Sequence, residues 1–254
     1  MKKKWILIIS IPLSIILTLT ILCFTLFAPA SPVLKLHTQT LNLSPNITLE
    51  KIESSSVLFI NKQKYIDKLE RQNPYLGVVN MEVSFPNNIT IHAFERQSLY
   101  AIKTQDIVYI CDADLKVLTT QTAFESTQNN PILVEVNLNK SYMPGEFLQF
   151  ENCNLLTELS TAFGLNNRDI SMQKALIKQI KITTEPNFET FQLDPVINFV
   201  DFLGITSKIE KANQSLTQKI STWFFVQEKM VLSTKFQIVI SSDFVGKVVD
   251  LEAE

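Results

Sequence analysis

The sequence predicts an α+β protein: a single transmembrane helix, then a small unit in the order strand, helix, helix, strand, strand (βααββ), then a mixed β domain. A long uncharged apolar stretch near the N-terminus predicts the transmembrane helix. Alternating apolar runs on either side of a turn predict the small unit, and later runs predict the β domain. We divide the chain into a cytoplasmic tail and signal anchor (1–30), the small unit (31–97), the β domain (98–245) and a C-terminal tail (246–254).

The N-terminal segment has the length and charge pattern of a membrane anchor. Residues 5–27 are uncharged and mostly apolar. As an α-helix they would span roughly 34 Å, enough for a hydrocarbon core of about 30 Å. Lys2, Lys3 and Lys4 precede this stretch, and positive charge on that side favours a cytoplasmic N-terminus. We expect a single-pass protein of the cell membrane with its C-terminal domains outside the cytoplasm.

A cleaved signal peptide is the alternative interpretation of the same residues. Ala28-Pro29-Ala30 fits the small-x-small pattern of a cleavage site, and the mature protein would then begin at Ser31. The apolar stretch is longer than the usual ~7–15 residues of a signal-peptide core. Its length therefore favours the uncleaved anchor.

Composition argues against most cofactor chemistry. The chain has only five glycines and no Gly-rich phosphate loop, so we expect no nucleotide site. Its two histidines, His37 and His92, and its three cysteines lack the spacing of a zinc site. A net charge of −2 does not favour nucleic-acid binding. Cys111 and Cys153 could pair outside the cytoplasm, although we expect no disulfide. We predict a non-enzymatic protein with no catalytic residue, cofactor, metal or small-molecule substrate.

The small unit begins with a strand and two helical patterns. Loose alternation predicts a strand over 33–37, and a short helical pattern follows over 48–53. Asn61 is a good N-cap for a second helix. Pro74 ends that helix, because the residue before a proline avoids the α region. The apolar face of this helix is Tyr65, Ile66 and Leu69.

Two alternating runs predict a β-hairpin after this helix. Pro86-Asn87-Asn88 lies between the runs and supplies the turn. The residues that share one face of the first run are Val79, Met81, Val83 and Phe85. Those that share one face of the second run are Ile89, Ile91 and Ala93.

Several short motifs in this region resemble one protein family. They are Asn73-Pro74-Tyr75-Leu76, Val78-Val79, Phe85-Pro86-Asn87-Asn88-Ile89-Thr90-Ile91 and Glu95-Arg96. Together they resemble the POTRA domain of the FtsQ/DivIB family of bacterial cell-division proteins, in which a helix ends in N-P-Y or L-P-Y and a hairpin and an E-R/K-x-P motif follow. Ser98 stands where the closing proline of that family is usual. The resemblance implies that residues 31–97 form a POTRA domain.

The second half is similar to the β domain of the same family. Its predicted strands lie near 100–102, 107–112, 115–118, 180–182, 188–193 and 236–240. One helix face is Leu155, Leu156, Leu159 and Phe163, and Gly164 is its expected stop. Ser207-Lys208-Ile209-Glu210 has the pattern of a capping box. The amphipathic face predicted after it is Ile209, Ala212, Leu216 and Ile220.

Three clusters have both a chemical and a structural interpretation. Asp112 and Asp114 could hold a divalent cation, but a hairpin turn is favoured because Asp bonds its own backbone in turns. Trp223-Phe224-Phe225 is either an exposed aromatic platform or, as we favour, core packing. The lysines that could attract an anionic polymer, but that we expect to form a solvated face, are Lys174, Lys178 and Lys181.

The family resemblance implies a binding protein that works at the division septum. It implies a scaffold that links divisome membrane proteins and docks FtsB, in company with FtsL, through the C-terminal strand and the residues just after it. An unpaired strand edge can accept such a partner without any catalytic motif. By position, the candidate contacts there are Phe236, Ile238, Ile240, Phe244 and Val245. The candidates in the POTRA unit for other division proteins are Tyr75, Leu76, Val78 and Val79.

Other interpretations stay open at this stage. Core packing is the alternative for each set of candidate contacts. The alternative function is a membrane-anchored envelope enzyme acting on cell-wall polymer, which would need an outward cluster of acid and base residues. A POTRA-bearing assembly chaperone is a third possibility, but such proteins usually repeat the unit, and this sequence has one copy.

Overall fold

The computed structural model of the 254-residue chain describes residues 14–23, 37–41, 61–84, 88–136, 138, 140–187, 192–229 and 235–251. The chain divides into two units, Met1–Glu95 and Arg96–Glu254, and each contains its own sheet. Helices and strands occur together in the protein, which is therefore of the mixed α+β class that the sequence predicts.

The described part of the predicted membrane anchor is a helix, α1, over residues 14–23. Among the residues that the structure describes, no helix is both long enough and apolar enough to cross a membrane. The rest of the predicted 5–27 span lies outside the described residues. The anchor therefore stays a prediction.

Besides α1, the described residues of the first unit form one more helix and a three-stranded sheet. Its elements are β1 (His37–Leu41), α2 (Lys62–Gln72), β2 (Leu76–Ser84) and β3 (Asn88–Glu95). The strand order is β1–β3–β2, with β1 parallel and β2 antiparallel to β3. The buried side chains of its core are Leu69, Leu76, Met81, Ile89, Ile91 and Ala93. These include the apolar face predicted for the second run of the hairpin.

Helix α2 begins and ends where the sequence predicts. The side-chain oxygen of Asn61 accepts a hydrogen bond from the backbone N–H of Lys64 at 3.1 Å, which satisfies one of the unpaired donors of the first turn. The helix ends at Gln72, just before the Asn73-Pro74 pair. Strand β1 begins at His37, the last residue of the strand predicted over 33–37. Residues 33–36 and the helical pattern over 48–53 lie outside the described residues.

The antiparallel pairing of β2 with β3 is confirmed, with one irregularity at Val79, while residues 85–87 lie outside the described residues. The cross-strand register shifts between Val78 and Asn80. A bulge of this kind adds a residue to one strand and re-aims the side chains next to it. Val79 is accordingly 72% exposed whereas Met81 is buried. The prediction that Val79 shares the face of Met81 is therefore wrong.

The second unit is built on one nine-stranded sheet. Its elements in chain order are β4 (Tyr100–Lys103), β5 (Val108–Cys111), β6 (Val117–Gln121), β7 (Ile132–Glu135), α3 (Asn154–Leu165), α4 (Ile170–Leu176), β8 (Ile177–Asn187), β9 (Gln192–Asp201), β10 (Thr206–Ile209), α5 (Leu216–Lys229), β11 (Phe236–Ile240) and β12 (Gly246–Asp250). The strand order is β12–β11–β10–β9–β8–β7–β4–β5–β6. The pairs β4–β7, β7–β8 and β10–β11 are parallel, and the other pairs are antiparallel. Helices α3 and α5 pack together over a core that also contains side chains from most of these strands.

Helix α3 buries the predicted face but ends later than predicted. Gly164 lies inside the helix, which continues to Leu165. The left-handed position after the helix belongs to Asn167, whose φ is 59°. The backbone N–H of Arg168 donates to the Phe163 carbonyl at 3.0 Å, which closes the helix in a Schellman arrangement. An asparagine thus fills the place that glycine usually takes.

The capping-box prediction over 207–210 is wrong. Ser207 lies in β10, and α5 begins only at Leu216. The Ser207 hydroxyl accepts a hydrogen bond from Nε1 of Trp223 at 2.9 Å and so bonds to the middle of α5. The predicted apolar face over 209–220 is nevertheless buried, part of it as strand and loop. Of the strand predicted over 188–193, residues 188–191 lie outside the described residues; the other two begin β9, which continues to Asp201.

Candidate functional site

The C-terminal edge of the large sheet is the candidate site. Strand β12 pairs antiparallel with β11, and the register places Gly246 opposite Ile240 and Val248 opposite Ile238. Among the described strands, β12 is outermost and pairs with β11 alone. The prediction that β11 is the last strand is therefore wrong, because residues 246–250 of the expected C-terminal tail form β12.

The backbone of β12 bonds to β11 at every second residue. The N–H of Ser241 donates to the Val245 carbonyl at 3.0 Å, and the N–H of Leu251 donates to the Lys235 carbonyl at 2.8 Å. Facing residues of an antiparallel pair form either both hydrogen bonds or neither, in alternation. The odd-numbered residues 245–251 therefore bond toward β11. The residues whose N–H and C=O groups point away from β11 are Gly246, Val248 and Asp250.

A tight turn joins β11 to β12 and fixes the position of Phe244. The N–H of Phe244 donates to the Ser241 carbonyl at 3.2 Å, and Phe244 has a φ of 61°. This left-handed position in a three-residue hairpin loop is one that glycine usually occupies. The carbonyl of Phe244 also accepts a hydrogen bond from Oγ1 of Thr222 at 3.4 Å. The turn is thus tied to α5, with the Phe244 ring 39% exposed.

A buried lysine supports this turn from α5. Lys219 is fully buried, and its Nζ donates to the carbonyls of Glu210 at 2.5 Å and Lys211 at 2.9 Å. The same Nζ lies 5.7 Å from the centroid of the Phe244 ring. Burial lowers the pKa of Lys219, and the nearby Glu210 charge opposes that shift. Lys219 therefore connects the helix, the 210–211 loop and the turn that begins the edge strand.

Strand β12 lies directly against α5. A Cβ atom at Gly246 would lie 2.4 Å from Cγ2 of Val226 and 3.3 Å from Cγ2 of Thr222, both on the helix. Only glycine allows so close an approach of backbone to helix. Gly246 and Val248 face the helix, since side chains alternate along a strand. Lys247 and Val249 therefore lie on the opposite face, away from α5.

Some of the predicted contact residues at this edge are buried and others are exposed. Ile238 and Ile240 are buried in the core, and Phe236 is half-buried. A partner that docks on the folded unit would not reach the two isoleucine side chains. Phe244 and Val245 are exposed, as a contact residue must be. Sequence reasoning missed two more exposed apolar side chains, Val249 and Leu251, because Gly246–Asp250 is too short and too polar for a clear strand signal.

The predicted contact residues of the first unit are also mixed. Leu76 is fully buried, and Val78 is half-buried with its N–H bonded to Oε1 of Glu70 at 2.9 Å. Tyr75 and Val79 are exposed. Phe94, which sequence reasoning missed, is a further exposed aromatic side chain on β3. The bulge brings Val79 to the surface, and no periodicity argument could have located it.

The Asp112 side chain forms the hairpin turn that the sequence favours. Its Oδ1 accepts hydrogen bonds from the backbone N–H groups of Asp114 at 3.0 Å and Lys116 at 2.8 Å. Its Oδ2 accepts from Nη1 of Arg96 at 2.7 Å. The carboxylate is therefore committed to three donors. In the described part of the chain, no group of three or more His, Cys, Asp or Glu side chains is placed to hold a metal ion.

The remaining candidates take structural positions. Cys111 and Cys153 are not disulfide-bonded, and burial, reinforced by the Asp112 charge, raises the pKa of the Cys111 thiol. Trp223 and Phe224 pack in the core, as favoured, whereas Phe225 is exposed.

The charged candidates lie toward the surface. Nε2 of His92 is 3.9 Å from the Glu82 carboxylate. Lys178 and Lys181 are exposed on β8, and Lys174 is half-buried on α4. The side chain of His37 lies outside the described residues. The geometry of these groups indicates a solvated surface.

No protein-family model matches the chain, and no curated protein shows significant similarity to it. Function is therefore inferred from the edge at β12 and from the short motifs over residues 73–96. Of these two features, the edge at β12 is the one whose mode of binding can be described. It exposes main-chain donors and acceptors beside apolar side chains.

Proposed function

We propose that this chain is a single-pass cell-division scaffold of the FtsQ/DivIB type. Residues 5–27 anchor it in the cell membrane, with the N-terminus in the cytoplasm and the remainder outside. The first unit is a POTRA domain that contacts other divisome membrane proteins at the septum. The second unit is the β domain, and it docks an FtsB-like partner, in company with an FtsL-like protein. Catalysis is not part of this role.

The observation that carries the proposal is the outward row of backbone groups on β12. Gly246 and Val248 direct their N–H and C=O groups away from β11, so an incoming strand can extend the sheet by main-chain hydrogen bonds. Each such bond contributes a net of about 0.5–1.5 kcal/mol. A few bonds give modest affinity and no sequence preference, so side chains must supply the selectivity.

Exposed apolar side chains beside the row can supply it. Val249 and Leu251 lie on the face of β12 opposite α5, and Phe244 and Val245 lie at its start. A partner strand with apolar side chains at alternate positions would bury these groups as it pairs with the backbone. The partner class that fits is an extended segment with alternating apolar residues.

The test is complementation of cells depleted of the protein. We expect depletion to give filaments without septa, and a fluorescent fusion of the full chain to lie at midcell. Val248→Pro removes the outward N–H and places the proline ring on the open edge, where no bond within the sheet is lost. Val248→Ala removes similar side-chain bulk but keeps the N–H. The alanine variant should restore division and the proline variant should not.

Two results would contradict the proposal. The first is normal division of depleted cells with altered wall chemistry, which would favour an envelope enzyme. The second is restoration of division by the proline variant as well as by the alanine variant at equal protein level, which would exclude strand pairing at β12.

A further inference from the structure

Strand β8 extends far beyond the neighbour that should cover it. It runs over Ile177–Asn187, but β7 pairs with it only at Gln179 and Ile180. The neighbouring parallel strands β4 and β7 end side by side at Lys103 and Glu135. Among the described strands, none pairs with residues 181–187 on the β7 side. Within the described residues, this stretch of β8 is therefore an open edge in the interior of the sheet.

The orientation of this edge follows from Pro195. It lies opposite Thr184 in the antiparallel β8–β9 pair, and its carbonyl accepts a hydrogen bond from the N–H of Ala212, on the far side of β9. Facing residues of an antiparallel pair form both hydrogen bonds or neither, and the Pro195 carbonyl points away from β8. Thr184 and Pro195 therefore form neither bond, and the N–H and C=O groups of Thr184 point away from β9. Alternation gives Ile182 the same direction. Both residues thus direct their backbone groups toward the position beyond the end of β7, where no described strand pairs with β8.

A cleft of about 550 Å³ occupies that position. Its walls include the ends of β4 and β7, the edge of β8 and the loop at 150–152; among its residues are Lys103, Glu135, Phe150, Glu151, Lys181 and Thr184. The volume falls in the range of binding sites that proteins build. Because the backbone edge itself forms one wall, the natural occupant is a strand that continues the line of β7.

Side chains at the cleft define what such a strand should carry. Ile182, Val136 and Phe150 are partly buried extensions of the main core, so one face of an incoming strand would meet apolar side chains. Lys181 lies on the opposite face of β8 and is exposed, with no ion pair to another described side chain. Lys103 and Glu135 are 3.8 Å apart and balance each other. Lys181 is therefore the unpaired positive charge beside the β8 edge, whereas Glu151 contributes a negative charge from the loop at 150–152.

We infer that this cleft binds an extended segment of a partner protein, which pairs with β8 at Ile182 and Thr184 and places an acidic side chain beside Lys181. The segment carries apolar residues at alternate positions, facing Ile182 and Phe150. An acidic residue next to Lys181 forms a cross-strand pair of opposite charge. This site lies on a different strand from β12 and does not depend on the division role.

The probe is a synthetic fluorescent heptapeptide that alternates valine with threonine and has one glutamate in place of the central threonine. Its binding to the purified full chain in detergent is followed by fluorescence anisotropy. Thr184→Pro removes the outward N–H, and Thr184→Ala is its matched control. The strand already holds a proline two residues on, at Pro186. We expect the proline variant to bind about tenfold more weakly than the alanine variant.

A charge pair of variants tests the same site without any proline. Lys181→Glu should weaken binding of the acidic probe about tenfold, whereas Lys178→Glu, an exposed lysine of the same strand that does not line the cleft, should not. If Thr184→Pro lowers the melting temperature, the comparison of Lys181→Glu with Lys178→Glu tests binding at the cleft.

Three results would overturn the inference. The first is a probe that does not saturate the wild-type protein up to millimolar concentration. The second is equal binding of the probe by both members of each variant pair. The third is a dimer in sedimentation that Thr184→Ala preserves and Thr184→Pro dissociates, in which case a second copy of this chain, not a partner protein, occupies the cleft.

Discussion

Nζ of Lys219 lies 5.7 Å from the centroid of the Phe244 ring, so a buried ammonium group supports an aromatic residue that has a left-handed backbone. Lys219 is fixed in turn by two carbonyls of the 210–211 loop. This arrangement presents an exposed ring at the start of the edge strand at a cost in backbone strain. A bulky residue at positive φ is unusual, and such strain is typical of positions with a function.

Substitutions of Phe244 should separate folding from binding. Phe244→Ala keeps the unfavourable φ of 61° and loses the ring, whereas Phe244→Gly also relieves the strain. We expect the glycine variant to be more stable than the alanine variant by about 1 kcal/mol in urea unfolding. Both variants should bind the proposed FtsB-like partner more weakly than the wild type. Equal stability of the two would show that the left-handed backbone is not strained.

Removal of the Lys219 charge should destabilise the second unit. Lys219→Met leaves the carbonyls of Glu210 and Lys211 without their buried donor, and an unsatisfied buried group costs about 1–3 kcal/mol. We expect the free energy of unfolding to fall by about 2 kcal/mol. The exposed neighbour provides the control, because Gln218→Ala should change stability by less than about 0.5 kcal/mol. A similar effect of both variants would contradict a supporting role for Lys219.

The ion pair between Arg96 and Asp112 gives a third prediction. Both side chains are largely buried, and Nη1 lies 2.7 Å from Oδ2. Asp112→Asn keeps the shape of the turn but removes the charge facing the guanidinium, so we expect a loss of about 2–3 kcal/mol in the free energy of unfolding. Asp114 is 3.6 Å from the same arginine but mostly exposed, so Asp114→Asn should cost less than about 0.5 kcal/mol. Equal losses would mean that burial of the pair is unimportant.

Alkaline pH should weaken the fold through the Cys111 thiol and the Tyr100 hydroxyl. Burial raises the pKa of both groups above their ordinary values of 9.0 and 10.0. Above those values the unfolded chain binds fewer protons than the folded chain, so the free energy of unfolding falls as pH rises. Each group contributes a slope of up to about 1.4 kcal/mol per pH unit.

The contribution of the Cys111 thiol is measured by comparing how the free energy of unfolding changes with pH in the wild type and in Cys111→Ala. The pKa of Lys219 is lowered, which acts in the other direction, since the unfolded chain then binds more protons. Cys111→Ala removes the thiol, one of the two groups that lower the free energy of unfolding as pH rises. It leaves the contributions of Lys219 and Tyr100 in place. Between pH 9 and 10.5, unfolding in urea should therefore show a shallower fall for the variant than for the wild type. Parallel curves would contradict burial of the Cys111 thiol.

Local signals predicted much of the fold. Asn61 caps α2 because a short polar side chain before a helical pattern satisfies its first N–H groups, and such a signal needs no tertiary information. The alternation of apolar and polar residues is also a local signal, and it predicted the buried face of β3. The turn at Asp112 was also predictable, since its carboxylate bonds the two N–H groups that follow within four residues.

Features that depend on distant contacts were not predictable. Ser207 has the pattern of a cap, but its hydroxyl bonds to Trp223, sixteen residues away, and the segment joins β10. Val79 is exposed because a bulge changes the alternation. The candidate site was the least predictable part of the fold. Strand β12 has few apolar residues, and its pairing with β11 and its contact with α5 stabilise it.

Hydrogen exchange on β12 tests the account most directly. Amide exchange of the full chain is measured at residue resolution with and without the proposed FtsB-like partner. We predict that the N–H groups of Gly246 and Val248, which point away from β11, become protected on binding, while those of Lys247 and Val249, already bonded within the sheet, change little. Partner binding that leaves Gly246 and Val248 unprotected would contradict strand pairing at this edge and the function proposed from it.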